Sequence, residues 1–449
     1  RLFHSKKEGD EFAAEARHIA AWLATLDKPH QQPESKPSEA EANAGKKLYD
    51  TMGCTACHTL GKTDEAPVSR LPLDHVSAKW KPKALSEYLR QPEKFYKWTK
   101  MPNFRLNQKE ATRLAAFLLS QKTKALDDDD PTPPDSNHGR QLVETSGCLS
   151  CHSIKVKDKQ QLENKHQAPA LHEITTDSWT KGCMASERNE RGGAPDFGLT
   201  DEKRQAILAF ASTGWQSLRP DSPAEFAERQ IRELRCLNCH SRDGFESPWH
   251  ELVKGEEVEE ADEDVESRSN LAPPKLTFVG EKLRPEWMEQ FFAGRVGYKP
   301  RPWLKARMPS FPARARYLAQ GLAMQHGLAP NSPKVPGSDR KLADIGRELI
   351  SSDGGFACSA CHQIGSQKAV GVFEAPGINF MHARERLNKD YFMRWLMMPS
   401  RVEPETRMPQ FIAYEQPSPF ADILGGDTKK QFDAIWHYLL EGQKIRPPE

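Results

Sequence analysis

Eight of the nine cysteines belong to four copies of one motif, in which two residues separate a pair of cysteines and a histidine follows at once. The four copies are Cys54, Cys57 and His58; Cys148, Cys151 and His152; Cys236, Cys239 and His240; and Cys358, Cys361 and His362. This spacing lets both thiols reach the two vinyl groups of one porphyrin, and the adjoining histidine can ligate its iron. The motif therefore predicts four covalently bound haem c groups.

Other chemistries of paired cysteines fit this arrangement poorly. A zinc ribbon places two such pairs about 15–20 residues apart, whereas these motifs lie about 90 or more residues apart. A thioredoxin-like redox motif occurs once, beside a strand–helix–strand pattern, and needs no histidine. Haem attachment is the interpretation that fits all four copies.

A second pattern, Met-Pro-x-Phe, follows three of the four motifs. It begins at Met101, Met308 and Met408, which lie 47, 72 and 50 residues after the first cysteine of their motifs. A methionine sulfur so placed can be the second axial ligand of a haem iron, although most methionines simply fill cores. In the second copy, Ala194 stands 46 residues after Cys148, where the methionine would be.

Helix-like segments frame each motif. A short helical lead precedes it, and after the Met-Pro-x-Phe position apolar residues recur at helical spacing. In the last such segment they form one stripe of Phe432, Ile435, Trp436 and Leu439. The predicted repeats are residues 42–122, 137–215, 222–327 (with an acidic insertion) and 339–446, referred to below as the first to fourth repeats.

Each repeat resembles a class I cytochrome c domain, which has an N-terminal helix ending in the cysteine motif, a loop presenting a distal methionine, and a C-terminal helix packed on the first. The resemblance covers nearly the whole chain. It implies a mostly α-helical fold of four tandem domains with long loops and polar linkers. It also implies that the motif histidines His58, His152, His240 and His362 are proximal ligands, and that Met101, Met308 and Met408 are distal ligands.

The fourth repeat offers a second methionine, Met398, next to Pro399. Pro399 lies nine residues before Met408, just as Pro92 lies nine residues before Met101. This register favours Met408 as the distal ligand.

The second repeat lacks the methionine, so its iron has either another distal ligand or an open position. Cys183, the ninth cysteine, lies 11 residues before Ala194, and a thiolate there would lower the potential of this haem well below the others. Met184, His166 and His172 are alternative ligands, and a buried, inert thiol is the alternative for Cys183. An open iron would permit peroxidase-like or small-ligand chemistry.

The first 26 residues resemble the tail of a fifth repeat. "RLF" reads as the end of a Met-Pro-x-Phe pattern, and one helical face carries Phe12, Ile19, Trp22, Leu23 and Leu26. This interpretation implies that the chain is part of a longer protein. An ordinary amphipathic helix is the alternative.

Composition narrows the class of protein. Lys and Arg number 64 against 63 Asp and Glu, which argues against a nucleic-acid binder held by bulk charge. No run of 18 apolar residues predicts a transmembrane segment. The acidic runs 127–130 and 256–266 are typical of solvated loops. Because haem c is attached outside the bacterial inner membrane, we expect a periplasmic or otherwise extracytoplasmic protein.

These features favour an electron-transfer protein over an enzyme. His/Met ligation suits carriers at fairly positive potential, so we expect a redox protein donor and a redox protein acceptor, with the chain as a subunit or domain of a larger oxidoreductase system. The alternative is an enzyme whose second haem, open or Cys-ligated as in bacterial thiosulfate dehydrogenases, oxidises sulfur compounds or reduces peroxide.

Overall fold

The computed structural model of the chain is mostly helical and divides into two compact units. The smaller unit comprises Arg1–Glu34 and Leu126–Pro220, and the larger unit comprises Ser35–Ala125 and Asp221–Glu449. The second repeat therefore belongs to the smaller unit, and the first, third and fourth repeats belong to the larger. The structure describes residues 9–26, 38–60, 70–121, 133–150, 152–156, 162–163, 169–170, 173–174, 179–192, 194, 196–214, 222–250, 272–304, 306–371, 376–413 and 416–448.

The described elements are short to medium helices and one pair of two-residue strands. In chain order the α-helices are α1 (Gly9–Ala24), α2 (Glu39–Thr51), α3 (Val76–Lys79), α4 (Pro82–Arg90), α5 (Pro92–Phe95), α6 (Gln108–Ser120), α7 (Ser136–Thr145), α8 (Asp201–Ser212), α9 (Pro223–Glu233), α10 (Val279–Lys282), α11 (Pro285–Phe292), α12 (Ala315–Met324), α13 (Arg340–Leu349), α14 (Cys358–Cys361), α15 (Ala383–Arg386), α16 (Lys389–Met397), α17 (Pro399–Val402) and α18 (Thr428–Leu439). The strands β1 (His58–Thr59) and β2 (Leu71–Pro72) pair in parallel. Single 3-10 turns are Cys54–Ala56, Cys148–Ser150, Gly182–Met184, Arg188–Glu190, Cys236–Asn238, Phe380–His382, Leu424–Gly426 and Gly442–Lys444.

The first and last helices of the first repeat, α2 and α6, pack directly against each other. Helix α6 begins with a capping box, in which Asn107 and Glu110 satisfy each other's backbone N–H groups. The two helices meet at Gly45, where a Cβ atom would lie only 2.0 Å from the carbonyl oxygen of Arg113. Glycine is therefore what allows the backbones to touch, and Tyr49 one turn later is buried between them.

The third and fourth repeats have the same kind of helix pair, α9 with α12 and α13 with α18. In the fourth repeat a Cβ at Gly346 would lie 2.2 Å from the carbonyl oxygen of Ala434. In the third repeat the glycine is on the other helix, and a Cβ at Gly321 would lie 1.8 Å from the carbonyl oxygen of Pro223. One glycine thus sets the closest approach of the helix pair in each repeat of the larger unit.

The smaller unit also has a pair of helices in contact at a glycine, but the second helix of the pair is not the one that the repeat predicts. Its α7 packs against α1, and a Cβ at Gly139 would lie 1.9 Å from the carbonyl oxygen of His18. Trp22 of α1 and Val143 of α7 are both buried. The resemblance predicts α8 as the partner of α7, but α8 buries none of its side chains and leaves Phe210 41% exposed. Helix α1, from the predicted tail, thus occupies the position of a final helix.

Two sequence predictions concern segments outside the described residues. The acidic run 256–266, including the predicted insertion of the third repeat, lies there, and so does the run 127–130. Both remain predictions.

We expect Gly346→Ala to destabilise the larger unit by about 1–3 kcal/mol, because the new methyl group forces α13 away from α18. Thermal unfolding followed by circular dichroism should show a lower Tm. Gly337→Ala is the matched control, since a Cβ at Gly337 has no atom within 4 Å. An unchanged Tm for Gly346→Ala would contradict the proposed backbone contact.

Candidate haem sites

Each cysteine motif begins as a tight helical turn, which starts three residues after the end of the preceding helix in the first three copies and nine residues after the end of α13 in the fourth. The residue before the first cysteine has a positive φ in all four copies: 80° at Gly53, 73° at Gly147, 58° at Arg235 and 54° at Ala357. In the first three copies this left-handed residue turns the chain sharply off the helix end. At Arg235 and Ala357, which are not glycine, it costs on the order of 1–3 kcal/mol. Such strain is typical of functional sites, where the surrounding structure imposes the conformation.

The cysteines of the motifs are free thiols wherever the structure describes them. Burial raises the pKa of Cys54, Cys236 and Cys358 to about 12. At neutral pH these first thiols of three motifs are therefore protonated, not reactive thiolates. They are held beside their partner cysteines without a disulfide, as attachment of a prosthetic group requires.

The motif histidines of the larger unit are oriented by backbone carbonyls. His58 Nδ1 lies 3.3 Å from Leu71 O, and His240 Nδ1 lies 2.7 Å from Pro274 O. A carbonyl oxygen can only accept, so Nδ1 donates and Nε2 keeps the lone pair that a metal needs. Burial also lowers the pKa of both histidines, which favours the neutral, ligating form.

His362 of the fourth motif is oriented in the same way, and its ring is also in contact with Gly377 and Phe380. Its Nδ1 lies 2.9 Å from Ile378 O, and burial lowers its pKa. A Cβ at Gly377 would lie 2.4 Å from His362 Nδ1, and the Phe380 ring stacks on the imidazole at 4.5 Å between centroids. The ring therefore has a fixed plane and a fixed tautomer, as a proximal ligand does.

The predicted histidine–methionine pairs of the third and fourth repeats line one cavity of about 1310 Å³. His240 and Met308 are on its wall, and so are His362 and Met408. The cavity also borders Cys358 of the fourth motif. Side chains that fit iron ligation and covalent attachment thus face one space large enough for a bulky group.

Met408 has a specific partner that sequence reasoning missed. Trp395 Nε1 donates a hydrogen bond to Met408 Sδ at 2.8 Å. Of the two candidate methionines in this repeat, Met408 is the one on the cavity wall, while Met398 caps the end of α16. A donor on the sulfur withdraws electron density from a potential iron ligand. A tryptophan 13 residues upstream gives no signal of this contact in the sequence.

The second motif is arranged differently. His152 is exposed, whereas Cys151, His166 and His172 lie outside the described residues. Cys183 is exposed and Met184 is buried, both on the 3-10 turn Gly182–Met184. This turn lies beside Ala194, since a Cβ at Gly182 would be 4.0 Å from the Ala194 methyl group. The turn that carries Cys183 and Met184 is therefore next to the position that methionine occupies in the other repeats.

Within the first repeat, one segment thus combines the helix pair, the motif turn, an oriented His58 and Met101 packed against the same core. Residues 42–122 also match the cytochrome c family model. This segment is a cytochrome c domain. Its bounds coincide with those predicted for the first repeat, and the residues in it fit a covalently bound haem c. No curated protein and no solved structure matches the chain.

The match carries general consequences for the chain. A cytochrome c domain transfers electrons through its haem and works with redox partners, and such domains are typically extracytoplasmic. Among the described helices, none has both the length and the apolar character to span a membrane.

We expect Trp395→Phe to lower the reduction potential of the fourth site, because the sulfur of Met408 then donates more strongly to ferric iron. A potentiometric titration of the holoprotein should show one of its transitions moved to lower potential. Trp303→Phe, at another tryptophan on the cavity wall, is the control. Equal shifts in both variants would show that the hydrogen bond to Met408 is not the cause.

Proposed function

We propose that this chain is a tetrahaem c-type cytochrome that transfers electrons between redox partners outside the cytoplasm. In this proposal the four repeats, 42–122, 137–215, 222–327 and 339–446, are four haem domains. Support comes from the left-handed residue before every motif and from the carbonyl-oriented histidines of the first, third and fourth repeats.

The observation that carries the proposal is the contiguity of three sites in the larger unit. The motif turns of the first and third repeats touch: Asn238 Nδ2 donates to Ala56 O at 2.5 Å. These residues hold the same place in their motifs, two after the first cysteine. Burial raises the pKa of Cys239 to about 12, and the neighbouring thiol of Cys57 adds to the rise. The two attachment sites therefore lie side by side.

The methionine loops of these two repeats also pair as equivalents. Asn103 N donates to Ser310 O at 3.1 Å, and Ser310 N donates to Asn103 O at 2.8 Å. Each residue lies two positions after its methionine. A reciprocal pair of this kind indicates a local two-fold relation between the first and third repeats. It is reinforced by Arg307, whose guanidinium reaches both carboxylate oxygens of Glu110 at 3.2 and 2.9 Å.

The third repeat meets the fourth through a different surface. Arg284 N donates to Arg386 O at 2.9 Å, and Asn388 N donates to Lys282 O at 3.0 Å. Leu283 and Leu387 form the antiparallel bridge between these bonds. This second reciprocal pair supports a row of sites in the order first, third, fourth, with the third in the middle. A row of closely spaced redox sites suits electron conduction.

The second site supports a second candidate function. Ala194 replaces the box methionine, and the Gly182–Met184 turn lies beside it. An iron at His152 that is open, or ligated by Cys183, would allow chemistry on sulfur compounds or peroxide. The donor and acceptor proteins of the electron-transfer function, and its place in a larger system, belong to the same proposal.

Intact-mass spectrometry of the matured protein should show four covalently added haem masses. Carbon monoxide added to the reduced protein should then alter the Soret band of one haem at most, because His/Met irons have no free position. Fewer than four haem masses would refute the tetrahaem proposal. Carbon monoxide binding that is lost in Ala194→Met would favour the catalytic alternative, and no binding would exclude an open site.

We expect Met308→His to slow electron exchange between the first and fourth sites by about tenfold or more, because nitrogen ligation lowers the potential of the middle site and places a barrier there. Freeze-quench EPR after a pulse of photoreductant measures this exchange. Met408→His is the matched control: it changes a terminal site and leaves exchange between the first and third sites intact. Equal behaviour of the two variants would contradict the order first, third, fourth.

A further inference from the structure

Two cations, the half-buried Lys282 and the buried Arg386, occupy equivalent positions where the third and fourth repeats meet. Lys282 ends α10 and Arg386 ends α15, and each directly precedes a leucine of the Leu283–Leu387 bridge. Each cation extends over an aromatic side chain of the other repeat. Lys282 Nζ lies 5.4 Å from the centre of the Trp395 ring, and the Arg386 guanidinium lies 5.2 Å from that of Trp287.

Among the described residues, no carboxylate oxygen lies within ion-pair distance of either cation. Arg386 is 8% exposed, and its Nε has no hydrogen-bond partner. Burial, and then the nearby Arg386 and Arg301, lower the pKa of Lys282 to about 7. Burial likewise lowers the pKa of Arg386 to about 10. An unpaired charge as buried as that of Arg386 is costly, so it indicates an anion that completes the site.

The cavity between the third and fourth sites has the matching charge. Lys282, Arg301 and Arg386 are all on its wall. Among the described residues lining it, nine are Lys or Arg and five are Asp or Glu. The excess of four positive charges equals the charge of the four propionate groups that two haems carry. Other cations on this wall are already neutralised, as Lys275 is by Glu403 at 3.2 Å.

The geometry points to Lys282, Arg301 and Arg386 as one shared carboxylate-binding site, which holds the propionates of the third and fourth haems. This inference rests on the proposed function, because it requires haems in both repeats. It goes further because it assigns the neutralisation of each haem's propionates partly to a cation of the neighbouring repeat. The cations are positioning residues: they bind carboxylates and touch no axial ligand position.

Such a site has a functional consequence. A positive charge near a haem favours the ferrous state, because reduction removes one positive charge from the iron. Low local dielectric strengthens this effect. Three cations between two haems therefore raise both potentials together, and keep the third and fourth sites close in potential. Electron transfer between these two sites then has a free-energy change close to zero.

The test uses the holoprotein and the variants Lys282→Met, Lys282→Gln and Lys282→Arg. We expect Lys282→Met to shift the reduction equilibrium of two of the four haems at least tenfold toward the ferric state, which is 59 mV for one electron. Lys282→Gln keeps a hydrogen-bond donor for a carboxylate but has no charge, so it should lower the potentials of the same two haems. It replaces Lys282→Met in the test if Lys282→Met does not mature. Lys282→Arg should retain the wild-type potentials.

The outcomes separate this inference from the proposed function. Haem content is measured first, by intact mass. Wild-type protein with fewer than four haems would refute the tetrahaem proposal, whatever the variants do. Four haems with unchanged potentials in Lys282→Met and Lys282→Gln would overturn the carboxylate-binding site alone. So would a shift in Lys282→Arg as large as that in Lys282→Met, since loss of packing would then explain it. The infrared difference spectrum between redox states should also lose a carboxylate band in Lys282→Met, which a purely structural role would not cause.

Discussion

The candidate haem sites depend on the close contact of two helix backbones at a glycine. In the first repeat, Gly45 lets α2 lie against the Arg113 carbonyl. This fixes the end of α2, where the left-handed Gly53 swings the cysteines into a tight turn. The loop that follows can then return to the motif, so that Leu71 O meets His58 Nδ1. A substitution at Gly45 would therefore change the position of the His58 imidazole, because each of these contacts positions the next.

The larger unit contains three repeats with this arrangement of helices and motif. They are joined by two kinds of contact, and in each contact equivalent segments of two repeats pair with each other. The third repeat pairs its methionine loop with that of the first, and its Leu283 segment with the Leu387 segment of the fourth. Because the two surfaces are different, the middle repeat can bind both neighbours at once. The third repeat is thus joined to the first and to the fourth by different surfaces. The two junctions also differ chemically, because the cysteine motif turns meet at the first and the cations Lys282 and Arg386 flank the second.

The sequence predicts covalent chemistry far better than it predicts contacts between repeats. The Cys-x-x-Cys-His motifs must keep their spacing to reach one porphyrin, so a single sequence is enough to recognise them. Residues 42–122, the predicted first repeat, are also the residues that match the cytochrome c family model. The helices predicted after the Met-Pro-x-Phe positions are present as α6, α8, α12 and α18. An apolar stripe, however, shows only that a helix needs a partner. It does not identify which one, and so α1 was not predicted as the partner of α7.

The positions of Lys282 and Arg386 between two repeats were not predicted, for a related reason. Glu-Lys-Leu at 281–283 and Glu-Arg-Leu at 385–387 look like ordinary solvated surface. Their one signal is that they recur at equivalent places, just before a helix of the third and fourth repeats. Only the pairing of these segments across the junction removes the cations from water. The hydrogen bond from Trp395 to Met408 has the same character, because it depends on how a loop folds back onto a helix.

The packing of α1 on α7 imposes an order on biosynthesis. Helix α1 is synthesised before α7, on which it packs and which begins more than a hundred residues later. The entire first repeat is translated in between, and it has all of its own helices by then. The amphipathic helix α1 must therefore remain without its partner α7 while the first repeat folds. A chaperone, or temporary association of α1 with another surface, would protect it during that interval.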